Sequence, residues 1–556
     1  MKRRLQAARS PSTAGAGLLT FLPWVLLAGV ILANAVIRLR LAEVPLERDE
    51  GEYAYAGQLI LQGVPPYSLA YNMKFPGTYG AYALVMAVFG QSAWAVHAGL
   101  AVINSATIVL VFLLARRWLS LTSAMAAAAA FAVLAIDRWT MGIFAHATHF
   151  VLLPALAGFL VLSDRQAIPG RARCVWAGVL LGVAVLMKQH AATYVVAAAA
   201  WVLWRVVRQP DRPRRLAVER ALALGAGALA PFAVMLLVLQ SAGVLDRFWF
   251  WTFQYAAEYV SQLSLAEAFI ALRFSLGSIT QDSWPVWLLA GAGALTLWRG
   301  RWPADTRAFV AFLALGSVAA LCPGFYFRQH YFIVLLPVLA LAAGAACLAI
   351  ERAIGRARPA AGVAVALLTT AAGVAVYAMA ERDYLFRMSP AAVSRSVYPG
   401  NPFVEAQEVG RYLKAHGAPG DRVAVLGSEP EIYFHAERRS ATGYIYTYGL
   451  MEPHPFAVQM QQEMIKEIED ARPAFIVAVQ IPLSWLARPN SDRRIHSWMV
   501  RYSAACYDVV GMIDVGQGDA TIHLNTGAAA VPLHSRNAIY IFRRRTAESC
   551  AARPVY

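Results

Sequence analysis

The feature that most constrains this chain is a succession of apolar runs, each of roughly the length that crosses a bilayer. They fall near 17–37, 93–115, 120–138, 147–163, 174–189, 191–207, 217–240, 284–299, 306–322, 331–350 and 360–380. A hydrocarbon core about 30 Å thick takes about 20 apolar residues per helix. Lipid offers backbone N–H and C=O groups no partner, so such runs fold as helices. The expectation is a polytopic α-helical membrane protein with about 11 transmembrane helices plus interfacial helices. Composition agrees, with 59% hydrophobic and only 15% charged residues, against about 25% charged in soluble domains. The segment 76–90 is too short for a full span and reads as half-embedded or re-entrant.

The net charge of +16 does not point to nucleic acid, because the arginines sit in short clusters between apolar runs. With the N-terminus cytoplasmic, one side of the membrane carries 21 Lys and Arg, and the other carries 9 over much longer loops. That asymmetry is the positive-inside rule at work. Met1-Lys-Arg-Arg ahead of the 17–37 run reads as an uncleaved signal anchor. The expected location is the inner (plasma) membrane. An odd number of spans then puts everything after residue 380 outside.

Two domains are expected. Residues 1–380 form the transmembrane part, with external loops at 38–92 and 241–283, and 381–556 form a soluble external domain. The latter alternates between helical and short strand patterns, such as Asn401–Gly417 followed by 419–427. This predicts a small α/β domain with a largely parallel sheet. It holds no Gly-rich phosphate-binding fingerprint. Cys506 and Cys550 fall in it, either as a disulfide or as two free thiols; no cysteine has metal-ligand spacing. In the second loop, Phe248-Trp-Phe-Trp-Thr-Phe253-Gln-Tyr255 reads either as an interfacial aromatic belt or as the wall of a lipid groove.

The first loop carries an unusual concentration of acid, Glu47-Arg-Asp49-Glu50-Gly-Glu52-Tyr53. Ionisable groups close to a bilayer are costly and usually have work to do. Asp49 and Glu52 form a D-x-x-E capping box, so the pattern predicts a helix over 50–62 that starts at Asp49. Backbone N–H groups at a helix start favour the ionised carboxylate. Asp49 is therefore expected to orient a hydroxyl and take its proton late, or to ligate a divalent cation; Glu50 is the second candidate. Lys74, Lys188, Arg328, Arg138, His146, His149 and His330 all fall on the same side of the membrane. Singly, each reads as a snorkelling or satisfied side chain. Together they make a ring of cations and imidazoles facing the acids, suited to a lipid phosphate that leaves from a sugar.

At these residues the sequence resembles the GT-C superfamily of membrane glycosyltransferases, closest to bacterial relatives of the protein O-mannosyltransferases and the lipid A aminoarabinose transferase. Arg48-Asp49-Glu50-Gly-Glu-Tyr53-Ala is similar to the family's acidic loop, and Lys74-Phe75-Pro76 to its K-P-P element with the first proline replaced. Leu186-Met-Lys188 and Gln329-His330-Tyr331 are similar to two further motifs. Relatives carry a second acid near 146–149; here the stretch holds His146 and His149 instead, with Asp137 upstream. The resemblance implies inverting transfer of a monosaccharide from a polyprenyl-phosphate carrier to a lipid, polysaccharide or protein acceptor at the outer face. It implies Asp49 as the residue that activates the acceptor, and Lys74, Lys188 and Arg328 as phosphate ligands. His146, His149, His330 and Tyr331 would contact substrate. Membrane lipid is the other expected partner. No cofactor is required by the pattern, and a divalent cation stays open. The rival reading is a transporter or flippase of a lipid-linked substrate, which predicts ionisable groups at mid-membrane; here the charges collect at span ends.

Overall fold

A computed structural model describes residues 13–164, 168–209, 211, 213–260, 263–516, 521–524 and 534–545. Lys2, Arg3, Arg4, Arg9, Arg165 and Arg212 of the charge count, and Cys550, lie outside the described residues.

Each of the eleven predicted runs coincides with helical chain. The first helices are α1 (Thr13–Arg40), α2 (Arg48–Leu61), α3 (Gly77–Phe89), α4 (Ala93–Trp118), α5 (Leu121–Leu134), α6 (Ala147–Leu162), α7 (Arg171–Met187) and α8 (Ala192–Val207). Among the described residues, six helices are long and apolar enough to cross a membrane: Ala93–Trp118, Gln189–Val207, Arg214–Ser241, Ala304–Leu321, Gln329–Gly355 and Pro359–Ala380. The chain is a multi-pass membrane protein. The 76–90 segment is a short apolar helix, α3. The 241–283 connection, expected as the second external loop, folds into helices Leu245–Trp249 and Ala256–Val260 around a π-helical turn Phe250–Tyr255, then a helix Leu265–Thr280 capped by Ser264 and Glu267. Polar residues such as Glu267, Arg273 and Ser275 interrupt its apolar pattern and hide that last helix in the sequence.

The described residues of the C-terminal part carry six strands: β1 (Arg422–Leu426), β2 (Arg439–Ser440), β3 (Phe475–Gln480), β4 (Tyr507–Asp514), β5 (Thr521–His523) and β6 (Ala538–Arg544). They form one sheet in the order β2-β1-β3-β6-β4-β5. The expected largely parallel sheet is half right. β2, β1 and β3 are parallel, whereas β6, β4 and β5 pair antiparallel. Parallel neighbours need crossover helices; helices intervene up to β3, but β4 pairs directly with the strand that follows it. Cys506 is disulfide-bonded.

The two parts are not held by a mere linker. One apolar core contains Tyr53, Tyr55 and Leu59 of α2 and Tyr79 and Tyr82 of α3, together with Val425 of β1, Val477 of β3, Ile432 and Tyr433. The Tyr55 and Tyr433 rings meet at 5.1 Å, and an aromatic pair of this kind adds about 0.5–1.5 kcal/mol beyond burial. The acidic helix is thus buried between the transmembrane bundle and the sheet. Gly51 allows that approach, since a methyl there would lie 2.6 Å from both Cβ and N of Glu431.

Candidate active site

The first turn of α2 sets the geometry of the acids. Its N-cap is Glu47, not Asp49. Glu47 Oε1 accepts from Glu50 N–H at 2.9 Å and Glu50 Oε2 accepts from Glu47 N–H at 3.1 Å, which closes the capping box two residues earlier than the sequence suggests. Intrinsic cap preference favours Asp over Glu; here burial fixes Glu47, which is 4% exposed. Asp49 is therefore free of capping. Its Oδ1 accepts from Lys74 Nζ at 2.9 Å and from the Tyr446 hydroxyl at 3.3 Å. Burial raises the Asp49 carboxyl, but the Lys74 ammonium and its hydrogen bond, with the nearby His330 and His146 rings, together outweigh it and hold the group well below the usual carboxylate range. The expected ionised, low-pKa Asp49 is found; its cause is an ion pair rather than a cap.

The neighbouring acids split their tasks. Glu50 turns away from the cavity: its Oε1 takes His97 Nε2–H at 2.9 Å and the backbone N–H of Ala145, so it ties α2 to α4 and to the loop before α6. Its position three residues after the cap aims it back over the helix start. Glu50, expected from the sequence as a second reacting acid, does not line the cavity that Asp49 faces. Glu52, expected to cap, instead accepts from Lys74 at 2.5 Å and from the Tyr79 hydroxyl at 2.5 Å. Burial pushes its carboxyl up.

A cavity of about 830 Å³ opens beside Asp49. Lys74, Lys188, Arg328, His330 and Tyr331 all line it, as the sequence predicts. They are not equivalent. Lys74 is consumed by Asp49 and Glu52, and its ammonium lies 4.5 Å from the centre of the Tyr53 ring. Lys188 and Arg328 have no carboxylate within ion-pair distance among the described residues. Lys188 stands 4.0 Å over the Tyr331 ring and Arg328 5.7 Å over Tyr326. Lys188 caps the end of α7, where burial and the repulsion of Lys74 and Arg328 bring its ammonium down to about 7. An incoming anion would reverse that shift.

His146 stacks on His330 with ring centres 4.0 Å apart. Its Nε2 meets the Tyr398 hydroxyl at 3.2 Å, and its buried Nδ1 has no hydrogen-bond partner. Burial lowers His146 to about 4, so the ring is neutral at physiological pH. Ligand atoms of Asp49, His146 and His330 all fall within 4.8 Å of one another. His149 is buried in α6 and does not line the cavity. Arg138 and Asp137 lie elsewhere, in a separate cluster. The aromatic stretch is a wall: Trp251, Phe253 and Tyr255 line the cavity, and Trp251 stacks on Tyr71 at 5.4 Å. The opposite wall, Tyr398, Tyr444, Tyr446 and Tyr448, comes from the C-terminal part and belongs to none of the motifs named above. The only available signal was the density of tyrosine in Tyr444-Ile-Tyr-Thr-Tyr448.

Residues 76–238 match the family model of dolichyl-phosphate-mannose-protein mannosyltransferases. No curated protein matches the chain in sequence. Among solved structures, the chain is similar to ArnT from Cupriavidus metallidurans in the apo state (15% identity, TM-score 0.59, 95% of this chain and 98% of that one covered). The same protein bound to undecaprenyl phosphate gives 16% identity and TM-score 0.59 over 93% and 97%. The oligosaccharyltransferase of Archaeoglobus fulgidus, in complex with Zn and sulfate, gives 14% and 0.51 over 91% of this chain and 74% of that one. The chain therefore has the GT-C fold.

Proposed function

We propose that this chain is a glycosyltransferase that moves a monosaccharide from a polyprenyl-phosphate carrier to an acceptor hydroxyl, with inversion, at the outer face of the membrane. Residues 1–380 supply the membrane-embedded transferase and 381–556 an outer part. The observation that carries this reading is one cavity holding an ionised Asp49 on one wall and, on another, Lys188 and Arg328, which have no carboxylate within ion-pair distance among the described residues. The similarity of the fold to an enzyme bound to undecaprenyl phosphate supports the choice of carrier.

The roles follow from charge. The donor phosphate sits at Lys188 and Arg328, whose charge-assisted hydrogen bonds stabilise the anion that leaves. Lys74, already neutralised, orients Asp49 instead of gripping phosphate. The acceptor oxygen attacks the anomeric carbon and the bond from that carbon to the phosphate oxygen breaks. The phosphate departs with the electron pair, and the acceptor proton passes to Asp49. A carboxylate held this far down is a weak base, so the proton moves late, as the oxygen becomes acidic. Tyr331 and the aromatic walls exclude water and pack the sugar.

A divalent cation fits between Asp49, His146 and His330: the imidazoles are close-stacked, His146 is neutral, and its buried Nδ1 makes no hydrogen bond and lies 3.6 Å from Glu47 Oε1. Bound there, it would supply Lewis-acid stabilisation to an oxygen anion. Purified protein should consume one polyprenyl-phosphate sugar in a mass-spectrometric screen of donors and acceptors. Uptake of a lipid-linked substrate into vesicles without covalent transfer would overturn the proposal in favour of a transporter.

A further inference from the structure

The crevice that an open α/β sheet offers a ligand is filled here by the acidic helix itself. Such crevices lie outside the carboxyl ends of the strands, where the chain leaves neighbouring parallel strands in opposite directions. In this sheet that point lies between β1 and β3, since β2 follows on one side of β1 and β3 adds on the other. Ser428 and Glu429 follow β1, and Ser484 follows β3. Their side chains interlock, Ser484 Oγ donating to Glu429 Oε2 at 2.6 Å and accepting from Ser428 N–H at 2.9 Å. Into this crevice runs Arg48, the residue immediately before Asp49. Its Nε donates to Ser428 O at 2.5 Å and its Nη2 to Glu429 Oε1 at 3.0 Å. Phe403 and Tyr448 flank the guanidinium at 5.4 and 5.3 Å. The Arg48 carbonyl accepts from the Tyr446 hydroxyl at 2.9 Å, the same hydroxyl that reaches Asp49.

We infer that Glu429 is a positioning residue: acting through Arg48, it fixes the first turn of α2 and hence the direction of the Asp49 carboxylate, so that the C-terminal sheet is part of the transfer machinery. The inference rests on the proposed role of Asp49. Glu429 does not itself line the cavity, whereas Arg48 does; the Glu429 carboxylate is fully buried, and among the described residues its ion-pair partner is Arg48. A buried ion pair is seldom retained for stability alone. Bidentate-capable geometry on a planar guanidinium is a directional constraint, and a misplacement of about 1 Å at a reacting group costs up to about 100-fold in rate.

The experiment uses the full-length protein in membrane mimetic, with Glu429→Gln, Arg48→Met and the double variant. Glu429→Gln keeps the shape and the Ser484 contact and removes the charge. The expected result is a fall in kcat of about tenfold or more with donor KM within about twofold, assayed well below the melting temperature of each variant, which falls as Arg48 loses its buried partner. The double variant should be no slower than the worse single variant, because both break one linkage. Unchanged kcat in Glu429→Gln, or effects that multiply in the double variant, would overturn the inference. A second readout needs no turnover. Hydrogen exchange at the amides of 47–53 should quicken in Glu429→Gln while α4 and α6 stay protected; unchanged exchange in that segment sinks the proposal. Asp49→Asn, assayed alongside, separates the two ideas. Full transfer by Asp49→Asn would bring down the role of Asp49, while the exchange result would still report whether Glu429 fixes the helix.

Discussion

Two groups of buried and half-buried carboxylates can be set side by side, and one of them lines the large cavity. In the first, Glu47, Asp49, Glu50 and Glu52 spread over the cap and the start of α2: Glu47 caps the helix, Glu50 takes His97, and Asp49 and Glu52 share Lys74, Glu52 adding Tyr79. In the second, Asp137, Asp282 and Glu381 gather around one arginine, Arg138, at 3.2 Å from Glu381 and 3.9 Å from Asp282. Trp139 closes it by donating Nε1–H to Asp282 at 2.6 Å, and none of its members lines the cavity. The contrast teaches that acid count is uninformative. What marks the first cluster is an ionised carboxylate beside cations that carry no carboxylate of their own.

The sharpest way to break this comparison is to neutralise one acid from the first cluster. Asp49→Asn should lose about 10²–10⁴-fold in kcat, the range general-base groups contribute, with its melting temperature retained. Glu50→Gln, one residue away, should do the reverse. It weakens bonds to His97 and Ala145 and should cost about 1–3 kcal/mol of stability in thermal unfolding, with residual kcat far above that of Asp49→Asn. If both variants fail alike in both assays, the division of tasks within α2 is wrong.

Next in size is the phosphate side. Lys188→Met or Arg328→Met should raise donor KM by about 10–100-fold, since hydrogen bonds to charged groups are worth about 1.5–3 kcal/mol. Because Lys188 in the free protein sits near 7, it is charged below that pH and neutral above it. Donor affinity should therefore weaken as pH rises through about 7, and Lys188→Arg, charged throughout, should flatten the profile. A donor KM in Lys188→Met equal to that of wild type would remove Lys188 from the site.

These outcomes bear on what a sequence can reveal. The spans were legible because lipid leaves the backbone one choice, so hydropathy alone locates helices. Lys74, Lys188, Arg328, His330 and Tyr331 could be collected because topology puts loop residues on one face. The identity of the cap was not legible: Asp49 has the better propensity, and burial of Glu47 overrides it. Nor was the difference between Lys74 and Lys188, which depends on whether a carboxylate happens to lie within reach. Tyr446 and Glu429 belong to a part of the chain some 400 residues away, and their convergence on Arg48 depends on how the sheet docks, which has no local signature.

The smallest effect tests the closed cluster. Asp137 Oδ1 accepts from the N–H groups of Trp139 and Thr140 at 2.9 and 3.1 Å, holding the turn after α5, while Oδ2 is buried without a partner. Burial is the main reason its carboxyl rises to about 7, with the Asp282 charge adding to it. A carboxyl raised on folding means that the folded state binds more protons than the unfolded one between about pH 4 and 7, so this group makes stability fall as pH rises through that window. Asp137→Asn keeps the turn-forming oxygen and removes the titration. Its melting temperature should then depend less on pH from about 4 to 7 than that of wild type, and should match or exceed it at pH 7.5, with transfer activity within about twofold. Were Asp137→Asn instead to lose activity as Asp49→Asn does, the closed cluster would have to be counted part of the reacting site, and the distinction between the two groups of acids would fall.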